Sequence, residues 1–223
     1  MDERARRWLQ SPHLPALLLL AGWALAALGY WGAWIWAAPV GLRVPGIDLA
    51  EYVKFMAVVR SGQVRLTREI FLLPLIAISL SMSLLAHRGE MGFPKALRWI
   101  VNFLAIPVAL SMLPPAWTPS LITTPEFVKQ TVAIAVCVVA ALLSYALRRR
   151  LPLVVSAAVV ASLALLSILF PLANFFKLRA PFEAIYGHSV ALGTGPIFLS
   201  LGLLLIATAP LLLLFRRGRH YHS

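Results

Sequence analysis

Glu183 and His188 stand five residues apart in a segment that also contains Pro181 and Gly187, and Glu69 opens a distant apolar run. A carboxylate and an imidazole that met there could exchange protons with a lipid or lipid-linked ester, as general acid–base catalysis requires. The spacing is not that of a metal-ligand motif, and no HExxH is present. The remaining acids have simpler employment. Asp48 and Glu51 have the spacing of a capping box, with Ile47 and Tyr52 placed as a hydrophobic staple. Glu69 and Glu126 sit where a helix N-terminus favours a negative charge.

A second group of residues suggests passage rather than reaction. Ser79, Ser83 and His87 recur every four residues and so share a helix face, and Asn102 adds an amide in a neighbouring run. Such a line could form a polar path; it could equally tie helices together by hydrogen bonds, worth about 0.6 kcal/mol each on average. Gly22, Ala26, Gly29 and Ala33 recur at spacings of four, three and four, a stripe of small residues against which another helix can approach closely. The partner would be a helix of this chain, of a second copy or of another protein.

There is no P-loop, dinucleotide-binding glycine fingerprint or CxxCH, so the sequence implies no cofactor and no metal. The single cysteine, Cys137, lies in an apolar run and reads as a packing residue, with no intrachain disulfide open to it.

The elements that must position these groups follow from composition. Of 223 residues 61% are hydrophobic and 13% charged, with a mean hydropathy of +0.85. Soluble domains average about 45–50% apolar and about 25% charged, and a chain of this length has too little interior to hide the excess. The solvent is therefore a bilayer. Crossing it takes a helix of about 20 residues. Six stretches approach or exceed that length: 14–38, 69–87, 94–113, 125–147, 151–175 and 196–215. The expected fold is all-α, a single polytopic membrane domain over 1–223. Residues 48–60 form a short amphipathic helix on its outer face, carrying Leu49, Tyr52, Val53, Met56 and Val59 on one side and stopped by Gly62.

Prolines mark several boundaries. Pro94, Pro125, Pro152 and Pro196 stand near helix starts, with Thr124 as an N-cap before Pro125. Pro74, Pro107, Pro171 and Pro210 fall within or near the ends of runs and are expected to kink them. The first run follows Arg4, Arg6 and Arg7 and contains Ala24-Leu25-Ala26, as a signal peptide would. A signal core extends over only about 7–15 residues. This run continues apolar through Trp36 and is expected to be a retained span.

Twelve basic residues fall on the side of the two termini and eight on the other, net +9 against +3. Both termini are thus expected in the cytoplasm, with Tyr30, Trp31, Trp34 and Trp36 at the outer interface. The net charge of +12 sits in clusters between apolar runs, which suits anionic lipid headgroups and argues against nucleic acid. Sixteen Arg to four Lys hints at a GC-rich bacterial source and a plasma membrane. Glu51-Tyr52-Val53-Lys54 resembles Glu126-Phe127-Val128-Lys129, but the flanks do not align as a repeat would. The expected function is a non-catalytic permease-like protein or a subunit of a membrane complex. The alternative is an enzyme acting on lipid at the outer face.

Overall fold

The computed structural model describes residues 11, 13–37, 42–187 and 189–220. The chain is mostly helical, 76%. Its helices are α1 (Leu14–Trp31), α2 (Gly46–Phe55), α3 (Ala57–Arg60), α4 (Leu73–Leu85), α5 (Lys95–Leu110), α6 (Pro119–Ile122), α7 (Val128–Leu142), α8 (Ser144–Arg150), α9 (Leu153–Tyr186) and α10 (Gly195–His220). A 3-10 turn, Arg68–Leu72, leads directly into α4. Four of these helical segments are long and apolar enough to cross a membrane: α1, α4 with its 3-10 turn, α9 and α10. A fifth is added if α7 and α8, bent by 77° at Leu143, count as one broken span.

The fold is not purely helical. Gly32 leaves α1 in an extended conformation, and the aromatic and β-branched run Trp34-Ile35-Trp36 continues as strand β1 (Ala33–Ala37). β2 (Leu42–Pro45) and β3 (Ala191–Leu192) flank it on either side, both antiparallel. Pairing on both edges gives the strand's backbone the partners that helix would otherwise have supplied. The expected first span, 14–38, is therefore cut back to Trp31.

Other boundaries shift for equally local reasons. The run 151–175 becomes a 34-residue helix, because Phe175, Leu178 and Phe182 extend its buried face at spacings of three and four. Residues 94–113 yield only 16 helical residues and 125–147 only 15 before the bend. Thr124 does not cap α7, which starts at Val128; its hydroxyl instead donates to Leu121 O at 2.7 Å. Thr118 is the cap that forms, accepting from Leu121 N on α6. The capping box at Asp48 is also absent: α2 begins two residues earlier, after Pro45, and Asp48 lies in its first turn. Pro74 sits at the start of α4 and does not kink it.

α4 is the central helix, with 67% of its 18-residue span buried. α5 and α7 pack on one side of it, and α1, α9 and α10 form the other side. The sheet, α2 and the 3-10 turn gather at one end, where Trp34 packs edge-on to Phe71 and Phe175. At the other end Arg216 donates to Ser11 O, and Arg148 to His87 O. Of the aromatic residues expected at the interface, Trp31 and Trp36 are exposed. Tyr30 and Trp34 are core residues whose polar atoms bond Phe71 O and Gly29 O.

Candidate functional site

The densest polar arrangement lies at the sheet end, below α2. Three elements meet there, and each contributes charge. α2 supplies Glu51 and Lys54, one turn apart; the 3-10 turn supplies Arg68; the segment entering α7 supplies Glu126, Phe127 and Gln130. Arg68 is buried, and its guanidinium donates to Glu51 Oε1 at 2.8 Å and to Gln130 Oε1 at 2.6 Å. Glu126 Oε1 lies 3.9 Å away. Lys54 closes the ring, 2.5 Å from Glu51 and 3.4 Å from Glu126. The ring of Phe127 lies 4.3 Å below the Arg68 guanidinium, close enough for a cation–π contact. Two cations and two carboxylates thus neutralise one another, and the amide of Gln130 passes the network on to Met112 O.

This ring adjoins a cavity of about 100 Å³, lined by Asp48, Glu51, Gln130, Ser111 and apolar residues that include Leu72 and Met112. Burial pushes the Asp48 carboxyl above its ordinary value. The pocket is large enough for a few waters or a small polar group. Of its two carboxylates Glu51 faces Arg68 and Lys54 and so is not a free base.

A second buried cluster closes the opposite end. Arg88, the residue just past the expected run 69–87, is 3% exposed. It donates to Leu84 O, Leu151 O and Ser156 Oγ, the last at 2.6 Å, and so ties the end of α4 to the start of α9. His87 lies just beyond α4, edge-on to Trp99 at 4.6 Å and Tyr145 at 6.1 Å. Its buried Nε2 has no hydrogen-bond partner. Burial first, then the neighbouring Arg148 and Arg98, hold the imidazole below its usual pKa.

The serines of the polar line along α4 and Asn102 on α5 are engaged in hydrogen bonds between helices and within α4. Ser79 Oγ donates to Ala105 O on α5 and Ser83 Oγ to Ser79 O; Asn102 Nδ2 on α5 donates to Ala141 O on α7. Ser81 adds a link to α1 by accepting from Trp23 Nε1.

The small-residue stripe faces α10 of the same chain. A Cβ at Gly22 would come within 2.9 Å of Gly202 O, and one at Gly29 would fall on the backbone of Leu199. α10 answers with its own glycines: Gly195 lies against Gly29 O, and Gly202 against Ala26. Ala33, the last of the stripe, is in β1, with its carbonyl pressed toward Gly193 and Gly195.

Of the catalytic candidates, Glu183 is engaged in structure. Its carboxylate accepts from Val190 N at 3.1 Å and Arg179 Nε at 3.2 Å, holding the turn after α9. Glu69 is partly exposed in the first turn of the 3-10 segment. His188 lies outside the described residues, as do Arg4, Arg6 and Arg7. Among the described residues no group of three or more His, Cys, Asp and Glu is arranged to hold a metal ion.

Sequence reasoning assigned Glu51 and Glu126 to separate helix starts and missed that they share the same two cations. The signal was present in the two similar tetrapeptides. Each places a carboxylate three residues before a lysine, and the fold brings Lys54 of the first to Glu126 of the second. No protein-family model, curated protein or solved structure matches the chain.

Proposed function

We propose that the chain is a non-catalytic membrane component of six crossings that packs as a subunit within a larger membrane assembly. α5 and α7 are the two crossings added to the four long ones. Their support is contact at both ends: Trp99 of α5 and Tyr145 beyond α7 meet His87, while Met112 and Gln130 meet near Arg68. The same even count, with the cluster of Arg148, Arg149 and Arg150 on the side of the termini, favours cytoplasmic termini. The arginine-rich composition favours a bacterial plasma membrane.

The observation that carries the subunit role is the mismatch between the two flanks. At about 1.5 Å per residue α5 and α7 are about 24 and 22 Å long. Both fall short of the ~30 Å hydrocarbon layer. α9 and α10 on the other flank run to about 51 and 39 Å. A shortfall of about 6–8 Å costs a fraction of a kcal/mol for every ångström if lipid must thin to meet it, and association with other helices relieves that cost. The short flank presents Phe103, Val132, Val136 and Val139, all half exposed or more.

Cross-linking in native membranes tests this. Cys137, which is buried, is replaced by Ser, and one cysteine is placed at Phe103 or Val136. A covalent adduct from these positions, to a second copy or to a different membrane protein, is the expected result. Complete labelling of both by a lipid-soluble maleimide, with no adduct at either, would sink the subunit role.

A further inference from the structure

We infer that the cleft between the 62–65 turn and α9 binds the phosphodiester headgroup of an anionic membrane lipid. The cleft, about 550 Å³, is lined by Gly62, Gln63, Val64, Arg65 and Lys177. Distant parts of the sequence thus bring two cations and a side-chain amide to one place. The turn is built to present them. Gly62 adopts φ +76°, Gly62 N bonds Val59 O, and Val64 N bonds Val58 O at 2.9 Å.

Charge is the first reason for an anion. The cations described above at this end have their counter-charges: Arg68 and Lys54 share Glu51 and Glu126, and Arg179 has Glu183. Among the described residues neither Arg65 nor Lys177 lies within ion-pair distance of a carboxylate. Two like charges lining one cleft repel, and a shared phosphate between them removes that repulsion while accepting hydrogen bonds from guanidinium, ammonium and amide.

Depth and direction are the reasons for a lipid. Lys177 lies well beyond Leu153, about 36 Å along α9. With Leu153 at one edge of the ~30 Å hydrocarbon, that reaches past the opposite edge and to the outer part of the ~5–7 Å headgroup layer beyond it. Leu166, Phe170, Ala173 and Lys177 recur at spacings of four, three and four, so the lysine tops one face of the helix. Leu166 and Phe170 on that face are 42% and 44% exposed. A phosphate held at Lys177 would hang its acyl chains along this stripe. Binding here needs α9 to cross the bilayer and is independent of the subunit role.

Native mass spectrometry of the full chain in detergent, titrated with dioleoyl phosphatidylglycerol, dioleoyl phosphatidylcholine or inorganic phosphate, tests it. The expected result is preferential retention of phosphatidylglycerol. Arg65→Gln with Lys177→Gln should weaken that retention roughly tenfold or more, and Lys129→Gln, which removes a charge elsewhere at the same end, should not. Inorganic phosphate that binds as well as the lipid, at the same two residues, would overturn the lipid assignment. Unchanged phosphatidylglycerol binding in the double variant, or an equal loss in Lys129→Gln, would overturn the site itself. Unaltered thermal unfolding of the variants, expected because both side chains are exposed, shows that loss of binding is not loss of fold.

Discussion

Removing the charge of Glu51 while keeping its shape, as Glu51→Gln, isolates what the buried ring contributes. Arg68 is 8% exposed and Glu51 28%, and their contact is 2.8 Å. Two unit charges about 4 Å apart attract by about 4 kcal/mol at an effective dielectric near 20. The partial exposure of Glu51 and its second partner, Lys54, reduce that, and Gln retains a hydrogen bond. The expected loss of stability is about 2 kcal/mol, in the range of hydrogen bonds to charged groups. Glu126 is 53% exposed and lies 3.9 Å from the same guanidinium. Glu126→Gln should therefore cost less than about 1 kcal/mol. Arg68→Met should cost more than either, about 3 kcal/mol, because it leaves Glu51 with Lys54 alone and Gln130 Oε1 without its donor. Reversible unfolding in mixed detergent–SDS micelles, followed by tryptophan fluorescence, measures all three. A double-mutant cycle between Glu51 and Arg68 should return a coupling of about 1–3 kcal/mol, and one between Arg68 and Glu126 about 0.5 kcal/mol or less. Equal couplings, or none between Glu51 and Arg68, would show that burial does not set the strength of this ring.

The other cluster predicts a pH effect. His87 titrates below its ordinary value of 6.5 in the folded chain, so the unfolded chain binds the proton first. Stability should be full above that value and decline as pH falls below it, and His87→Phe should abolish the slope; a slope that survives the substitution would place the proton elsewhere. Gly202→Val drives a side chain onto the backbone of Ala26 and should destabilise by about 1–3 kcal/mol or more in the same unfolding assay. Ser156→Ala removes the 2.6 Å bond from Arg88 and should cost about 1.5–3 kcal/mol, as losses of hydrogen bonds to charged groups do. Glu183→Ala should speed amide exchange at Val190 while leaving the bundle intact, and unchanged lipid turnover or growth in Glu69→Ala and Glu183→Ala would count against the enzymatic alternative.

Four of the apolar runs were legible as helices able to cross a membrane, because a long stretch of consecutive oily residues has only one common solution, a helix in lipid. Their ends were not, because ends are decided by single contacts. Trp34-Ile35-Trp36 is as hydrophobic as the helix before it, and hydropathy does not register that two distant short strands pair with it. Residues after 175 look too polar for a span, yet Phe175, Leu178 and Phe182 carry the helix on by packing. Charges misled most. Arg68 and Arg88 each flank an apolar run and so resemble loop residues, but both are buried, with partners 17 to 68 residues away. Pairings of that kind are tertiary facts with no local trace. The small-residue stripe was readable as a packing face, whereas its partner, the glycines of α10, emerged only from the fold.

The two buried arginines bear on the proposed role. Arg68 and Arg88 bracket α4. One is fixed by a carboxylate and an amide, the other by Leu151 O just before α9 and the Ser156 hydroxyl within it. For α4 to slide by even one turn, a guanidinium would leave these partners and enter lipid tails, at a cost of several kcal/mol. The serines between them lock the same helix to α5 and α1. A carrier that works by rocking needs a central helix with two comparable positions, and α4 is held at both its ends and along its middle. A bundle whose core is pinned in this way is better suited to holding a partner in place than to changing shape around a cargo.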